Sequence, residues 1–300
     1  MRERSQLRLI KDYIARKLMF TLMIFPSLVV FLMLFGLIQK SRPILALKSF
    51  SALLLSSTWH PLKGEFGLLP FIMGTLWVTL VALMIAIPIS LLTAIYLSEY
   101  APKFIREFTK PIIDLLAGIP SVIYGVWGVL LIVPLVSNLL APLFGVYSSG
   151  YSILAGGIVL AIMIFPTIIH VSLEVFSSIS YELREASLSL GATKWETVKY
   201  VVLRKGLGGI IAAIVLGLSR AFGETMAVLM VVGNVPKIPK SVFDSGYPLP
   251  ALIANNYGEM MSVPLYDSAL MLAALVLLLV VLSFSVLARF ILIRVERRVE

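Results

Sequence analysis

The chain has no cysteine, only two histidines, and charge on just 14% of its 300 residues. Without thiols it forms no disulfide and no thiolate metal site. A typical soluble domain carries about 25% charged and 45–50% apolar residues. This one is 59% hydrophobic, with a mean hydropathy of +0.99. That balance excludes a disordered chain, a collagen and an ordinary soluble enzyme. Chemical signatures are missing too. No G-x-x-x-x-G-K-[ST] occurs, so no P-loop holds nucleotide phosphates, and there is neither an H-E-x-x-H zinc helix nor a G-x-S-x-G nucleophile turn. No nucleophile–base pair stands out, and no metal or cofactor is expected. Work against a gradient would therefore draw on another subunit or on an ion gradient.

What the sequence does have is long apolar runs. A helix crosses about 30 Å of hydrocarbon with about 20 apolar residues. Uncharged stretches place spans at Leu18–Ile38, Phe66–Ser98, Leu115–Leu140, Ile153–Leu173, Gly206–Val235 and Ser268–Ala288. The third and fourth divide one uncharged run at the turn-rich Ala141–Ser152. Barrel strands would alternate polar and apolar residues in segments of about ten, and these runs do not. The expected fold is all-α, a polytopic membrane protein with six transmembrane helices. The first run is longer than the 7–15 residues of a signal-peptide core and no small-residue cleavage site follows closely, so it stays as a span. The segments are then a tail at 1–17, a first helix at 18–38, an external loop at 39–65, a core of five helices at 66–292 and a tail at 293–300.

Charge gives the orientation. Eighteen of the 25 basic residues fall in the two tails, the loop after the second span and the loop after the fourth. By the positive-inside rule that side is cytoplasmic, with both termini. The net charge of +9 needs no nucleic acid to explain it. Pro88, Pro120, Pro134, Pro166, Gly156, Gly157, Gly208, Gly209, Gly217 and Gly223 punctuate the middle spans. They fit close helix packing or helices broken beside a wet cavity. His170, at a span edge, reads as a helix-packing polar group.

The loop between the fourth and fifth spans is patterned. Ser180 to Leu190 reads as a short helix with Ser180 as N-cap, and Gly191 sits where a left-handed C-terminal glycine ends it. Thr193-Lys-Trp-Glu196 is a capping box that opens a second helix through Val198–Leu203. The result is a cytoplasmic helix–turn–helix, a rigid projection for a soluble partner to grip.

Two charges interrupt the fifth span. An isolated charge at mid-membrane costs at least about 2.5–3.5 kcal/mol. Arg220 and Glu224, four apart, are expected to share a helix face and pair. Two readings of the pair stay open, a salt bridge that locks helices together and an anion site. A guanidinium matches the oxygens of phosphate or a carboxylate. A neighbouring carboxylate repels a fully ionised sulfate but accepts the proton of a hydrogen phosphate.

At these residues the sequence resembles a known family. Glu185-Ala186-Ser187, Gly191, Val201 and Leu203, in the loop at about 180–204, are similar to the E-A-A…G…I-x-L-P loop of ABC importer permeases. Ser187 replaces the second Ala and Arg204 the usual Pro. Arg220-Ala-Phe-Gly-Glu-Thr-Met-Ala227 resembles the R-A-x-G-E-T-M-A signature of phosphate-specific permeases, and Leu115–Gly125 their third-span signature. Trp59-His-Pro61, Phe66-Gly67, Leu69–Leu76 and Ala94–Leu97 resemble the PstC type, and Ala251–Glu259 is similar to the family's external loop except for Asn256 in an acidic position. The resemblance implies an ABC importer permease fold with a cytoplasmic coupling-helix hairpin, in the cell membrane. It implies substrate contact at Arg220 and Glu224, and ATPase contact around Glu185, Ala186 and Gly191. It also implies four partners: a second homologous permease (PstA type), an ATP-binding subunit dimer (PstB type), an extracytoplasmic phosphate-binding protein (PstS type) and phosphate itself. The rivals are a permease for sulfate or molybdate, an ion-coupled secondary transporter using Arg220 and Glu224 as a proton relay, and a membrane-embedded enzyme.

Overall fold

The computed structural model describes residues 2–259 and 262–299, with side chains from Lys11 to Arg294 apart from residues 260–261. The basic side chains of Arg2, Arg4, Arg8, Arg297 and Arg298, used above for orientation, lie outside the described side chains. Helix α1 runs unbroken over Arg2–Leu47, about 69 Å at 1.5 Å per residue. The expected tail, first span and beginning of the external loop are thus one rod. Gln39–Leu47 contains no helix stop, and Pro43 is accommodated because the Ile44 amide donates to Ser268 Oγ at 3.2 Å. The apolar side chains of the α1 span are almost all exposed, as suits a helix that faces lipid or a neighbouring subunit.

The rest of the expected loop is also built. Helix α2 (Phe50–Leu55) is followed by a two-residue hairpin, β1 (Trp59–His60) against β2 (Glu65–Phe66), in register Trp59↔Phe66 and His60↔Glu65. Trp59 packs edge-on against Phe66 and Phe71, with ring centroids 5.6 and 5.0 Å apart. This cap closes one end of the bundle, and the Trp59 and Phe66 signature residues are its core.

Helix α3 spans Leu69–Tyr100 and α4 Lys103–Gly118. The latter is a half-apolar helix of the kind that lies along a membrane surface. The third span, expected from Leu115, starts instead at Ser121 as α5 (Ser121–Leu143). Pro120 is the cause, because it forces Ile119 into an extended conformation (ψ 129°) and ends α4. Helix α6 (Ile153–Ser178) is the central column, packed along α3, α5 and the fifth span. Gly157 sits where a Cβ would land on Val81 of α3, and Gly209 and Gly217 meet Val175 and Ile168 of α6 in the same way. Close packing is what these glycines serve.

Helices α7 (Tyr181–Ser189) and α8 (Lys194–Lys205) form the expected elbow. Helix α8 then bends by 69° into α9 (Leu207–Gly223). The family's Pro would stand at Arg204, yet α8 continues through Arg204 and turns at Gly206. Beyond α9 the fifth span is broken. Glu224 is extended (ψ 128°), and a short α10 (Met226–Val231) follows. Helix α11 (Leu249–Asn256) and the long α12 (Tyr266–Val299) complete the chain. Among the described residues five helices are long and apolar enough to cross a membrane, or six if the bent α8–α9 pair counts as one span. The chain is a multi-pass membrane protein.

Candidate functional site

Arg220 occupies the last turn of α9, where the negative end of the helix dipole favours a cation. Its side chain is exposed rather than sealed in the core. Its Nη1 donates to Thr167 Oγ1 of α6 at 3.1 Å. The guanidinium has further N–H donors beyond this one bond, so an anion at the exposed face would meet an uncommitted fork.

Among the described residues Glu224 forms no ion pair with Arg220. The expected pairing on one helix face fails because α9 stops at Gly223 and the chain turns away before Glu224. Glu224 Oε1 instead accepts the Ala227 amide at 3.1 Å, satisfying a free N–H at the start of α10. It faces a crevice of about 10 Å³ shared with Thr75, Thr79, Pro248 and Pro250, room for one water at most. The signature therefore marks a break in a membrane helix, with the cation before it and the acid after it. Spacing of four residues presumes a continuous helix, and that presumption concealed the break; Gly223 was the available hint.

His170 pairs with a residue that the sequence reading overlooked. Its Nε2 lies 2.9 Å from Asp114 Oδ1, which ties α6 to α4 one turn beyond Thr167. The helix-packing reading of His170 holds. Asp114 stands just before an apolar run, and nothing in the local sequence points to His170 as its partner.

At the elbow, Gly191 has φ +87° with nothing within 4 Å of a built Cβ, the left-handed turn expected of it. The capping box is present, with Glu196 N donating to Thr193 Oγ1 at 3.3 Å and Thr193 N to Glu196 Oε2 at 2.7 Å. The Thr193 backbone amide first, and its hydroxyl second, hold the Glu196 carboxyl below the usual carboxylate range. Ser180 starts α7, but its side chain makes no capping bond. Ser187, the departure from the family's second Ala, has a use: its hydroxyl lies 3.0 Å from Thr197 Oγ1 and joins the two arms. Glu185, Ala186 and Gly191 are exposed at the tip. Beside them stands Leu190, 89% exposed.

Asn256 differs from the expected acid for a visible reason. It donates to Leu252 O and to Tyr247 Oη, both at 2.8 Å, and accepts from Tyr266 Oη at 2.8 Å; a carboxylate can accept from the two phenols but has no hydrogen for the carbonyl.

Residues 86–300 match the family model described as "Binding-protein-dependent transport system inner membrane component". A phosphate transport system permease protein PstC of Xylella fastidiosa (strain 9a5c) is 38% identical over 81% of this chain and 79% of its own length. A probable ABC transporter permease protein, YqgH, of Bacillus subtilis (strain 168) is 38% identical over 79% of this chain and 76% of its own. Among solved structures, a chain of a bacterial ABC transporter for import of the acidic polysaccharide alginate superposes with a TM-score of 0.63 at 20% identity, over 96% of this chain and 99% of its own. A chain of the inward-facing MetNI methionine ABC transporter does so at 0.60 and 20%, over 79% and 99%. At that identity these structures establish the fold alone.

Proposed function

This chain belongs to the binding-protein-dependent transport system inner membrane component family, and from that premise we propose that it is the PstC-type permease of an ATP-driven phosphate importer. It forms the translocation path with a second, homologous permease. An ATP-binding subunit dimer grips the α7–α8 elbow on the cytoplasmic side, where both termini lie. A phosphate-binding protein delivers substrate at the opposite end, near the Trp59 cap. The chain itself supplies no ATPase motif, so hydrolysis resides in the partner.

One observation carries the reading: an exposed guanidinium stands at the break of a membrane-spanning helix, where a charge is costly unless it serves a passing anion. Broken helices at mid-membrane are the common device by which transporters meet ions. Phosphate binds Arg220 through its oxygens. Glu224 holds the break in shape through one carboxylate oxygen, and its other oxygen meets the substrate's proton once the crevice beside Thr75 and Thr79 widens to admit phosphate. The exposed Leu190 beside Gly191 supports docking of the elbow tip in an apolar pocket of the ATPase.

The complex reconstituted in vesicles is expected to take up phosphate at the expense of ATP, with little competition from sulfate. Equal competition by sulfate would favour the other-oxyanion reading, and uptake that ignores ATP but follows a proton gradient would favour a secondary transporter. Glu224→Gln keeps an oxygen for the Ala227 amide and removes the charge. The preference for phosphate over sulfate should then fall about tenfold or more, since a hydrogen bond to a charged group is worth about 1.5–3 kcal/mol. An unchanged preference, measured by competition, removes Glu224 from selectivity and leaves the transport assignment standing. Gly191→Val places a β-branched residue at φ +87°, at a cost of about 1–2 kcal/mol or more. ATP hydrolysis should continue while uptake falls several-fold; intact coupling would contradict the role of the turn.

A further inference from the structure

The last turn of α3, Tyr96–Tyr100, is held from three directions. It is wound wide, with the Ala101 amide reaching back to Tyr96 O, a form common at functional positions in helices. From α7, Arg184 forms a bidentate pair with Glu99: Nη2 donates to Oε1 at 2.8 Å and Nε to Oε2 at 3.2 Å. The same guanidinium donates to Phe176 O at 2.8 Å and Ile179 O at 2.6 Å, carbonyls at the end of α6. From α8, the Lys194 ammonium sits over the Tyr100 ring at 4.8 Å. From α4, Arg106 donates to Leu97 O and Ser98 O, carbonyls left open by the end of α3.

The Glu99 and Arg184 side chains are 9% and 12% exposed, although they stand at the rim of a cleft of about 540 Å³ between α3, α6 and the elbow. A buried pair is costly to assemble and seldom retained for stability alone. Its geometry suits transmission. Arg184 lies one residue before Glu185, at the tip the ATPase would grip, and both arms of the elbow end on a single turn of α3. Helix α3 then lies along α6, which carries Thr167 and so reaches Arg220.

We propose that Glu99 and Arg184 are the coupling strut of the permease. Motion of the elbow enters the membrane core through the last turn of α3, by way of this ion pair and the Lys194–Tyr100 contact, and not through α9 alone. The inference rests on the reading of the elbow as the ATPase contact. Glu99 and Arg184 are positioning residues, since neither reaches the Arg220 site.

The test uses the complete transporter in vesicles. Phosphate uptake and ATP hydrolysis are measured together, and their ratio is compared with that of the unmodified complex. Glu99→Gln keeps the side chain's shape and removes the charge. The phosphate moved per ATP is expected to fall about tenfold or more, as when a buried pair loses one partner, while hydrolysis continues and the KM for phosphate is unchanged. A merely structural role would lower both rates together and leave the ratio intact, and that result would overturn the proposal. If the Glu99→Gln complex does not assemble, Lys194→Met decides, because Lys194 is exposed and its loss leaves the buried pair whole. A ratio several-fold lower supports the strut, and an unaltered ratio overturns it. The unmodified complex guards the premise: hydrolysis stimulated without phosphate uptake would refute the phosphate assignment, and the ratio would then be read with sulfate.

Discussion

An Arg220→Gln permease is expected to assemble at normal levels and to lose phosphate uptake by about a hundredfold or more. The assembly half follows from burial. Arg220 is exposed, so losing its single described hydrogen bond, to Thr167, leaves no fully buried group unpaired. The uptake half follows from charge. A guanidinium holding an oxyanion makes charge-assisted bonds worth about 1.5–3 kcal/mol each, and two of them together span roughly two to four decades in rate or affinity. Glutamine offers one donor group and no charge. Arg220→Lys should fall between, because an ammonium keeps the charge and loses the fork. The measurements are radiolabelled phosphate uptake and the recovery of the intact complex. Near-normal uptake by Arg220→Gln would leave a helix-locking role as the better account.

Gly157→Val should be the most damaging change to the fold. Helices α3 and α6 approach closely only because position 157 has no side chain. A Cβ there would fall on Val81 Cγ1 and 2.8 Å from Val81 Cβ. The second of these is fixed by the α3 backbone, so no rotamer change relieves it. The surroundings are fully packed, with Ala82, Leu160 and Ala161 at or near zero exposure. Overpacking of this kind costs about 1–3 kcal/mol, at times more. Inside a membrane such contact energy is the main force between helices, since lipid chains solvate apolar side chains as well as a neighbouring helix does. The thermal midpoint of the purified complex should drop by several degrees. Gly118→Ala is the control. Its Cβ would meet nothing within 4 Å, and a surface change of this size stays within about 0.5 kcal/mol. Equal midpoints for the two variants would mean that α3 and α6 part without cost.

Much of this was readable from residue order, because it depends on local chemistry. The capping box at Thr193 and Glu196 and the left-handed Gly191 are properties of a few neighbouring residues, and they appear where expected. Five of the six apolar runs became unbroken spans and the fifth run a bent and broken one, because hydrocarbon thickness sets a minimum length whatever the packing. Helix boundaries differ from the apolar runs where the backbone imposes a stop. Pro120 moved the start of α5 from Leu115 to Ser121. The supposed loop at 39–65 became the end of a rod, a short helix and an aromatic cap, since polarity alone does not distinguish a loop from an end-cap held by Trp59.

Sequence by itself determined the solvent of this protein, the approximate number of its crossings, the shape of its elbow and the identity of the cation within the fifth apolar run. Each follows from a single contiguous run or turn. Tertiary structure alone decided which partners the charges take. Glu224 leaves Arg220 for the Ala227 amide, Asp114 finds His170 across two helices, and Glu99 meets Arg184 from 85 positions away. Pairing of that kind depends on where helices break and how closely glycines let them approach, distances that no spacing along the chain encodes.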